Sequence, residues 1–256
     1  MFELTNELTV ITGASGALAE PIIHTLLEYG APLALLDINM DALLVRKASL
    51  NTKLKVECYT CDIGNFTDVE ETFKKITADF GTFPLHLVNT AGYCENFPAE
   101  DYPSINAEQL IKVNLLGSLY VAQVFAKPII NNKIENASIV MIASMSGSIV
   151  NDPQPQIAYN MSKAGVIHMV KSLAVEWAKY NIRINSLSPG YIATPLTKNV
   201  INGNTEMFNR WMSLTPMKRM ANPNEFAGTV LYLLSNSASS YTTGENIIVD
   251  GGYQCL

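Results

Sequence analysis

Tyr159 and Lys163 stand four residues apart in the run from Gln156 to Gly165. If that run is helical, the spacing puts both side chains on one face. A phenol titrates near ~10 in water, so acid–base work at neutral pH requires a cation close enough to stabilise the phenolate. Lys163 is placed to supply it. The spacing alone carries little: 11 tyrosines and 13 lysines in 256 residues give about 0.6 such pairs by chance. An ordinary solvated helix face carries the same pattern, so the elements around the pair must decide.

The chain is 48% hydrophobic and 16% charged over 256 residues, enough to bury a substantial core. A net charge of -6, with no Lys/Arg cluster, argues against a nucleic-acid surface. Apolar runs such as Ala31–Leu36 and Ser138–Ala143 are strand-length, short of the roughly 18 residues of a membrane span, so no membrane association is expected. The opening residues Met1 to Glu7 lack a basic segment followed by an apolar one and do not read as a signal peptide. Cys58 and Cys61 have a metal-like spacing, but they fall in a strand-like run where three residues' separation points them to opposite faces. No second Cys/His pair accompanies them. Free thiols in a reducing cytoplasm, with no metal site, are expected.

Short β-branched or apolar runs alternate with longer helix-like ones throughout, without a composition break or internal repeat. Strands are expected at Leu8–Thr12, Pro32–Asp37, Lys55–Thr60, Leu85–Asn89, Ser138–Ala143, Arg183–Ser188 and Asn246–Val249. Helices are expected at Ala17–Tyr29, Met40–Leu50, Thr67–Phe80, Asn106–Ile130, Ile157–Tyr180 and Pro223–Leu234. This is an α/β pattern: a Rossmann-type doubly wound sheet of about seven parallel strands with helices on both faces, forming a single domain over residues 1–256.

In such a sheet ligands bind outside the strands' carboxyl ends. The first strand runs into Thr12-Gly13-Ala14-Ser15-Gly16-Ala17-Leu18-Ala19, a small-residue turn whose backbone N–H groups can meet a pyrophosphate at a helix N-terminus. Gly13, Ser15 and Leu18 are its candidate contacts. The second strand ends at Asp37, whose carboxylate suits ribose hydroxyls and repels a 2′-phosphate. Ile38, Asn39 and Met40 bring no cation to offset that repulsion, so NAD is expected rather than NADP. Asp62 and Ile63 close the third strand, with polar and apolar groups suited to an adenine. Asn89, Thr90, Ala91 and Gly92 close the fourth, small enough for a flat ligand to approach.

Thr12-Gly13-x-x-x-Ala17-x-Ala19, Asp37, Asp62-Ile63, Asn89-Thr-Ala-Gly92, Asn114, Ser144, Tyr159-x-x-x-Lys163 and Pro189-Gly190-x-Ile192-x-Thr194 occur in that order. Over essentially its whole length the chain resembles the short-chain dehydrogenase/reductase family. The resemblance implies that Tyr159 exchanges a proton with the substrate oxygen while hydride moves between substrate and nicotinamide. It implies that Lys163 holds the nicotinamide ribose and stabilises the phenolate, and that Ser144, rather than the neighbouring Ser146, steadies the substrate oxygen. Asn114 would hold a water that links Lys163 to solvent. Pro189, Gly190, Ile192 and Thr194 would cover the nicotinamide, with Asn89, Ala91 and Gly92 beside it. The family usually has Gly where Ala17 and Ala19 stand. A methyl at Ala17 crowds the pyrophosphate, whereas one at Ala19 fills the helix–sheet contact.

Substrate selection is expected from loops outside that scaffold: Tyr93–Pro98, Val150–Gln156 and Pro195–Pro223. The second is rich in amides, and Asn151, Gln154 and Gln156, with Ser144 and Tyr159, could bind the hydroxyls of a polyol or ketose. A solvated loop held by prolines is the competing reading. Asn151–Lys163, Leu115–Gln123 and Tyr241–Tyr253 resemble the ribulose-forming D-arabinitol 2-dehydrogenases of yeasts, which implies oxidation at carbon 2 of a sugar alcohol. The resemblance also implies a homotetramer that pairs the long helices, with Tyr253–Leu256 reaching a neighbouring subunit. A broad carbonyl reductase and a non-catalytic dinucleotide sensor are the rival functions. The joint presence of Ser144, Tyr159, Lys163 and Asn114 speaks against the sensor.

Overall fold

A computed structural model of the chain describes residues 2–194, 197 and 205–255. Seven strands form one sheet: β1 (Thr9–Thr12), β2 (Leu33–Asp37), β3 (Val56–Thr60), β4 (His86–Asn89), β5 (Ala137–Ile142), β6 (Ile182–Pro189) and β7 (Asn246–Val249). Every pairing is parallel, in the order β3-β2-β1-β4-β5-β6-β7, so the strand order reverses between β1 and β4. The expected strands are all present, with small shifts at their ends.

Side-chain alternation divides the core between the two faces of the sheet. Val10, Ala34, Leu36 and Met141 pack with α3 (Phe66–Phe80), α5 (Ser118–Asn131) and α6 (Ile157–Trp177). Ile11, Leu33, Leu35 and Val140 pack on the other face with α1 (Ala19–Glu28), α2 (Met40–Ser49) and α8 (Ala227–Leu234). Cys61 belongs to the first cluster and Cys58 lies against the second, so the two thiols do face apart. Both are free, and no metal-binding group of His, Cys, Asp or Glu occurs among the described residues. Buried Arg183 on β6 donates to the carbonyls of Leu233 (2.8 Å) and Leu234 (3.0 Å), satisfying the end of α8.

Three helices depart from expectation. The run expected over Asn106–Ile130 is α4 (Ser104–Ile111), a π-helical turn at Lys112–Gly117, and α5. Apolar residues stand on most sides of this stretch, so the phase shift of a π-turn's extra residue does not show and the sequence reads as one helix. Ser104–Asn131, 28 residues long with an 18-residue stretch of mean hydropathy 1.4, has the length and composition of a membrane span. Here it packs on β4, β5 and α3 as a core helix, its inner face carrying Val121, Phe125 and Ile129. The last turns expected of α6 and the first of α8 are 3₁₀ segments. A further helix, α7 (Thr205–Leu214), lies in the stretch Pro195–Pro223 that was expected to be a loop. Residues 195, 196 and 198–204 of that stretch lie outside the described residues.

The loop after β5 is pressed against α6 at Gly147. A Cβ there would stand 2.7 Å from the backbone carbon of Lys163 and 2.7 Å from Ile167 Cδ1. Gly147→Ala is therefore expected to cost about 1–3 kcal/mol through forced separation of loop and helix. Thermal unfolding of the variant would show this as a lowered Tm, and an unchanged Tm would refute the close packing.

Candidate active site

α6 starts at Ile157 and runs straight through Tyr159 and Lys163, as the spacing required. Lys163 is buried and its Nζ donates to the Ile142 carbonyl at 2.9 Å, at the end of β5. The same Nζ lies 5.6 Å from the centroid of the Tyr159 ring. Burial pulls the ammonium down to about 8. Burial also pushes the Tyr159 phenol up to about 12, opposed by a hydrogen bond from Ser144. The neighbouring ammonium favours the phenolate and so opposes the rise that burial causes. The first proton to leave belongs to the pair rather than to either group.

Ser144 and Ser146 sit in the turn that Gly147 allows to lie on α6. Ser144 faces Tyr159, whereas Ser146 lies behind it, with Ser144 Oγ donating to Ser146 Oγ at 3.0 Å. Asn114 occupies the π-turn and is fully buried. Its Oδ1 accepts from Tyr93 N (3.0 Å), and its Nδ2 donates to Tyr93 O (2.8 Å) and Ser162 Oγ (3.2 Å). Asn114 thereby ties the β4 loop to α6 one residue before Lys163. Cys94, in that loop, donates from Sγ to Gln156 Oε1 at 3.5 Å; burial raises its thiol to about 11, so it is held protonated.

A cleft of about 980 Å³ runs along the strands' carboxyl ends at the point where their order reverses. Gly13, Ser15, Leu18, Asp37, Asp62, Ile63, Ala91, Gly92 and Thr194, all expected to bind the dinucleotide, line it. A Cβ on Gly13 would stand 2.7 Å from Ala91 Cα, and its φ of 63° is left-handed. Only glycine joins the β1 turn to the β4 loop there. The N-terminus of α1 has no side-chain cap, so its N–H groups are left for an anion. Asp37 Oδ2 accepts from Ser15 Oγ (2.6 Å) and Ser15 N (3.1 Å), fixing the carboxylate at the cleft's end. Ala17 and Ala19 both border the cleft, and Ala19 is also fully buried in the helix–sheet contact. These features fit a dinucleotide.

Other expected contacts sit elsewhere. Asn89 is buried behind the cleft wall, its side chain bonded to Thr12 and to Ser118 Oγ (2.8 Å). It fastens the switch point of the sheet. Pro189 ends β6, and Gly190 is wedged against Asp250, where a Cβ would meet Asp250 Cα at 2.7 Å. Ile192 bridges to Ala221. Asn151 and Gln156 are buried and hydrogen-bond with Gln154, with each other and with Tyr191 instead of standing free in a loop.

Arg46 is the functional candidate that sequence reading missed. Ile38, Asn39 and Met40 bring no cation, but α2 folds back and sets Arg46 in the cleft wall. Its Nη2 donates to the Ser15 carbonyl (3.1 Å) and its Nη1 pairs with Glu20 (2.8 Å) in the first turn of α1. Arg46 thus braces the turn and neutralises a carboxylate at the helix end that must accept a pyrophosphate.

The family comparison agrees with this geometry. Residues 13–254 match a family model described as enoyl-(acyl carrier protein) reductase. The chain belongs to the short-chain dehydrogenase/reductase family and is an oxidoreductase. It is 58% identical to an NADH-dependent L-xylulose reductase of Ambrosiozyma monospora, over 98% of this chain and 96% of that one. It is 55% identical to a ribulose-forming D-arabinitol 2-dehydrogenase of Candida albicans (strain WO-1), over 99% and 95%. The structure of an NAD⁺-bound xylitol dehydrogenase superposes with a TM-score of 0.89 at 30% identity, covering 97% and 99%.

Arg46→Ala is expected to weaken NADH binding about 5- to 10-fold, and Glu20→Gln in that background to recover part of the loss. Fluorescence titration checks both. Recovery by Glu20→Gln separates charge neutralisation from simple bracing, and its absence would refute the electrostatic role.

Proposed function

We propose that the protein is an NAD-linked polyol dehydrogenase that oxidises a secondary alcohol at carbon 2 of a pentitol. The proposed reaction is D-arabinitol plus NAD⁺ giving D-ribulose, NADH and a proton. The observation that carries it is Tyr159 with Lys163 and Ser144 beside it, Lys163 Nζ lying against Gly92 in the wall of a cleft that ends in Asp37. The relatives' activities on D-arabinitol and L-xylulose support the substrate class.

The bound dinucleotide supplies the hydride acceptor. Gly13, Ser15 and Leu18 would hold its pyrophosphate, and Asp37 its adenosine ribose, which favours NAD over NADP. Asp62, Ile63, Ala91, Gly92 and Thr194 would line the rest of its path. Tyr159 as phenolate takes the proton of the alcohol as the carbonyl forms, and returns it when a ketose is reduced. Lys163 stabilises the phenolate, and Ser144 donates to the reacting oxygen. Asn114, one residue from the Lys163 contact through Ser162, serves the exchange of protons with solvent.

The assembly expected is a homotetramer that covers the outer faces of α5 and α6, where Val175 is 82% exposed. Tyr253, by contrast, is buried in its own chain against Tyr191. A cytoplasmic location suits the free cysteines. The comparison with a relative named a reductase gives the second reading, in which net flux runs from ketose to polyol through the same residues.

Turnover of D-arabinitol, xylitol, sorbitol, D-ribulose, L-xylulose and an aryl ketone, each with NAD(H) and NADP(H), tests the assignment. Activity confined to the ketone would reject the polyol reading, and equal use of both dinucleotides would reject the role of Asp37. Tyr159→Phe is expected to lower kcat by about 10²–10⁴ while keeping NADH binding. Near-wild-type turnover would show that another group moves the proton. The pair's first ionisation sits near the lower value, about 8 for Lys163. Oxidation requires the deprotonated pair, so its kcat is expected to rise with pH through that region. Reduction requires the proton and is expected to fall there. Matching pH–rate profiles in both directions check the sign.

A further inference from the structure

Five side chains behind Ser144 close a hydrogen-bonded ring. Ser146 Oγ donates to Asn151 Oδ1 (2.5 Å), Asn151 Nδ2 to Tyr191 Oη (3.2 Å) and Tyr191 Oη to Gln154 Oε1 (3.1 Å). Gln154 Nε2 donates to Gln156 Oε1 (3.0 Å), and Gln156 Nε2 returns to Ser146 Oγ (3.2 Å). Each member gives one proton to the next and receives one, so each bond polarises its neighbour. Cys94 adds a donor to Gln156 Oε1, and Gln156 Nε2 also reaches Asn160 Oδ1 at 2.9 Å. Ser144 hangs from this ring: its Oγ donates to Ser146 Oγ (3.0 Å) and accepts from Ser146 N (3.1 Å).

Tyr191 also belongs to a second assembly. Its ring stacks on Trp211 of α7 at 4.2 Å and 12°, and meets Tyr253 edge-on at 5.7 Å and 78°. Trp211 is 2% exposed, so the stack is the buried seat of α7. One residue thus touches the helix beside the site with its ring and the polar ring behind Ser144 with its hydroxyl.

We infer that Tyr191 is a positioning residue for the reaction, seated by α7 and acting on the Ser144 hydroxyl through Asn151 and Ser146. The physical reason is directional. Ser146 can give its single proton to Asn151 only while Asn151 Oδ1 is turned toward it, and that orientation is held by the bond from Asn151 Nδ2 to Tyr191 together with a second bond from Gln156 Nε2 to Asn151 Oδ1 at 3.0 Å. Ser146 Oγ then has only lone pairs for Ser144. The Ser144 hydroxyl is left with two acceptors, Ser146 Oγ and the reacting oxygen, instead of free rotation among its staggered wells. On this inference Asn151 and Gln156, 2% and 3% exposed, act on Ser144 rather than on substrate hydroxyls. It rests on the proposed role of Ser144 at the reacting oxygen, but not on which alcohol is oxidised.

A double-mutant cycle tests it. Tyr191→Phe keeps both ring contacts and removes one hydroxyl. Ser146→Ala disconnects Ser144 from the ring while leaving the backbone N–H that fixes its Oγ. Wild type, both singles and the double are compared by kcat for D-arabinitol oxidation and for reduction of an aryl ketone, with NADH affinity by fluorescence titration. Each single is expected to lower kcat about 10-fold, the scale of one lost hydrogen bond. Both should move the acid limb of oxidation to higher pH, because a loosened Ser144 stabilises the Tyr159 phenolate less. NADH affinity should stay within about twofold, and the double should be no slower than the slower single. Ser146→Thr, which retains the hydroxyl, should stay near wild type and keep its sensitivity to Tyr191→Phe. It also replaces Ser146→Ala in the cycle if that variant does not fold. Additive losses near about 100-fold, an unmoved pH profile, or a Tyr191→Phe variant with unchanged kcat would each overturn the inference. Turnover of the ketone without any polyol would reject the polyol reading and leave the cycle readable.

Discussion

A lysine ammonium held out of water beside a phenol is unfavourable unless the protein supplies what water would have. Lys163 receives one backbone carbonyl, that of Ile142, and stands beside a phenol that would become an anion in the proposed reaction. Much of the surrounding architecture serves that arrangement. The carbonyl is available because β5 ends there, at the carboxyl edge of a parallel sheet. α6 can come within reach because Gly147 has no side chain to hold the loop away. The π-turn places Asn114 so that both ends of its amide meet Tyr93, which closes the site from the β4 side. A buried Asn with neither partner would itself be a defect, so the loop and the amide stabilise each other.

The opposite end of the cleft solves a different electrostatic problem. A dinucleotide brings two phosphates to the start of α1, where Glu20 and Asp37 already place two carboxylates. Asp37 is tolerable because it is turned onto Ser15 N and Oγ, at the position where a ribose rather than a phosphate would lie. Glu20 is tolerable because Arg46 is paired with it. The same guanidinium holds the Ser15 carbonyl, so charge compensation and the shape of the turn depend on one side chain. Where the family usually has glycines, Ala17 and Ala19 divide the roles. Both border the cleft, but Ala19 is fully buried and packs into the helix–sheet core as well.

Residues that act from strand ends were legible in the sequence. In a parallel sheet every carboxyl end faces the same edge, so locating the strands was enough to bring Gly13, Asp37, Asp62 and Ala91 to one cleft. Tyr159 and Lys163 were legible because helical spacing is local. What escaped was set by side chains that cross between elements. Arg46 reaches back about 30 residues, and no pattern near Asp37 announces it. The π-turn escaped because a helix apolar on most sides has no clear phase for one extra residue to shift. Asn89 looked like a ligand contact because it ends a strand, yet its side chain turns inward to Thr12 and Ser118. The polarity of Asn151, Gln154 and Gln156 pointed to hydrogen bonds with substrate hydroxyls. Its direction depends on Tyr191, 35 residues beyond Gln156, and only the folded chain shows that these amides bond to one another.

That closure changes where substrate discrimination can arise. A site that offers unpaired polar groups to several hydroxyls rejects an analogue lacking one of them strongly, because the site group is then left buried and unsatisfied. A closed ring offers little of that kind, since its groups are already paired without substrate. Selection among pentitols would then fall to the shape of the space between the ring, the β4 loop and α7, and shape distinguishes one carbon or one epimer only modestly. An enzyme built this way is expected to act on several related polyols and ketoses, with stereochemistry at carbon 2 held more tightly than identity elsewhere. The relatives' two named substrates, D-arabinitol and L-xylulose, differ in ways such a site would tolerate. The strict element would be the oriented Ser144 and Tyr159 pair, and the loose one the wall around it.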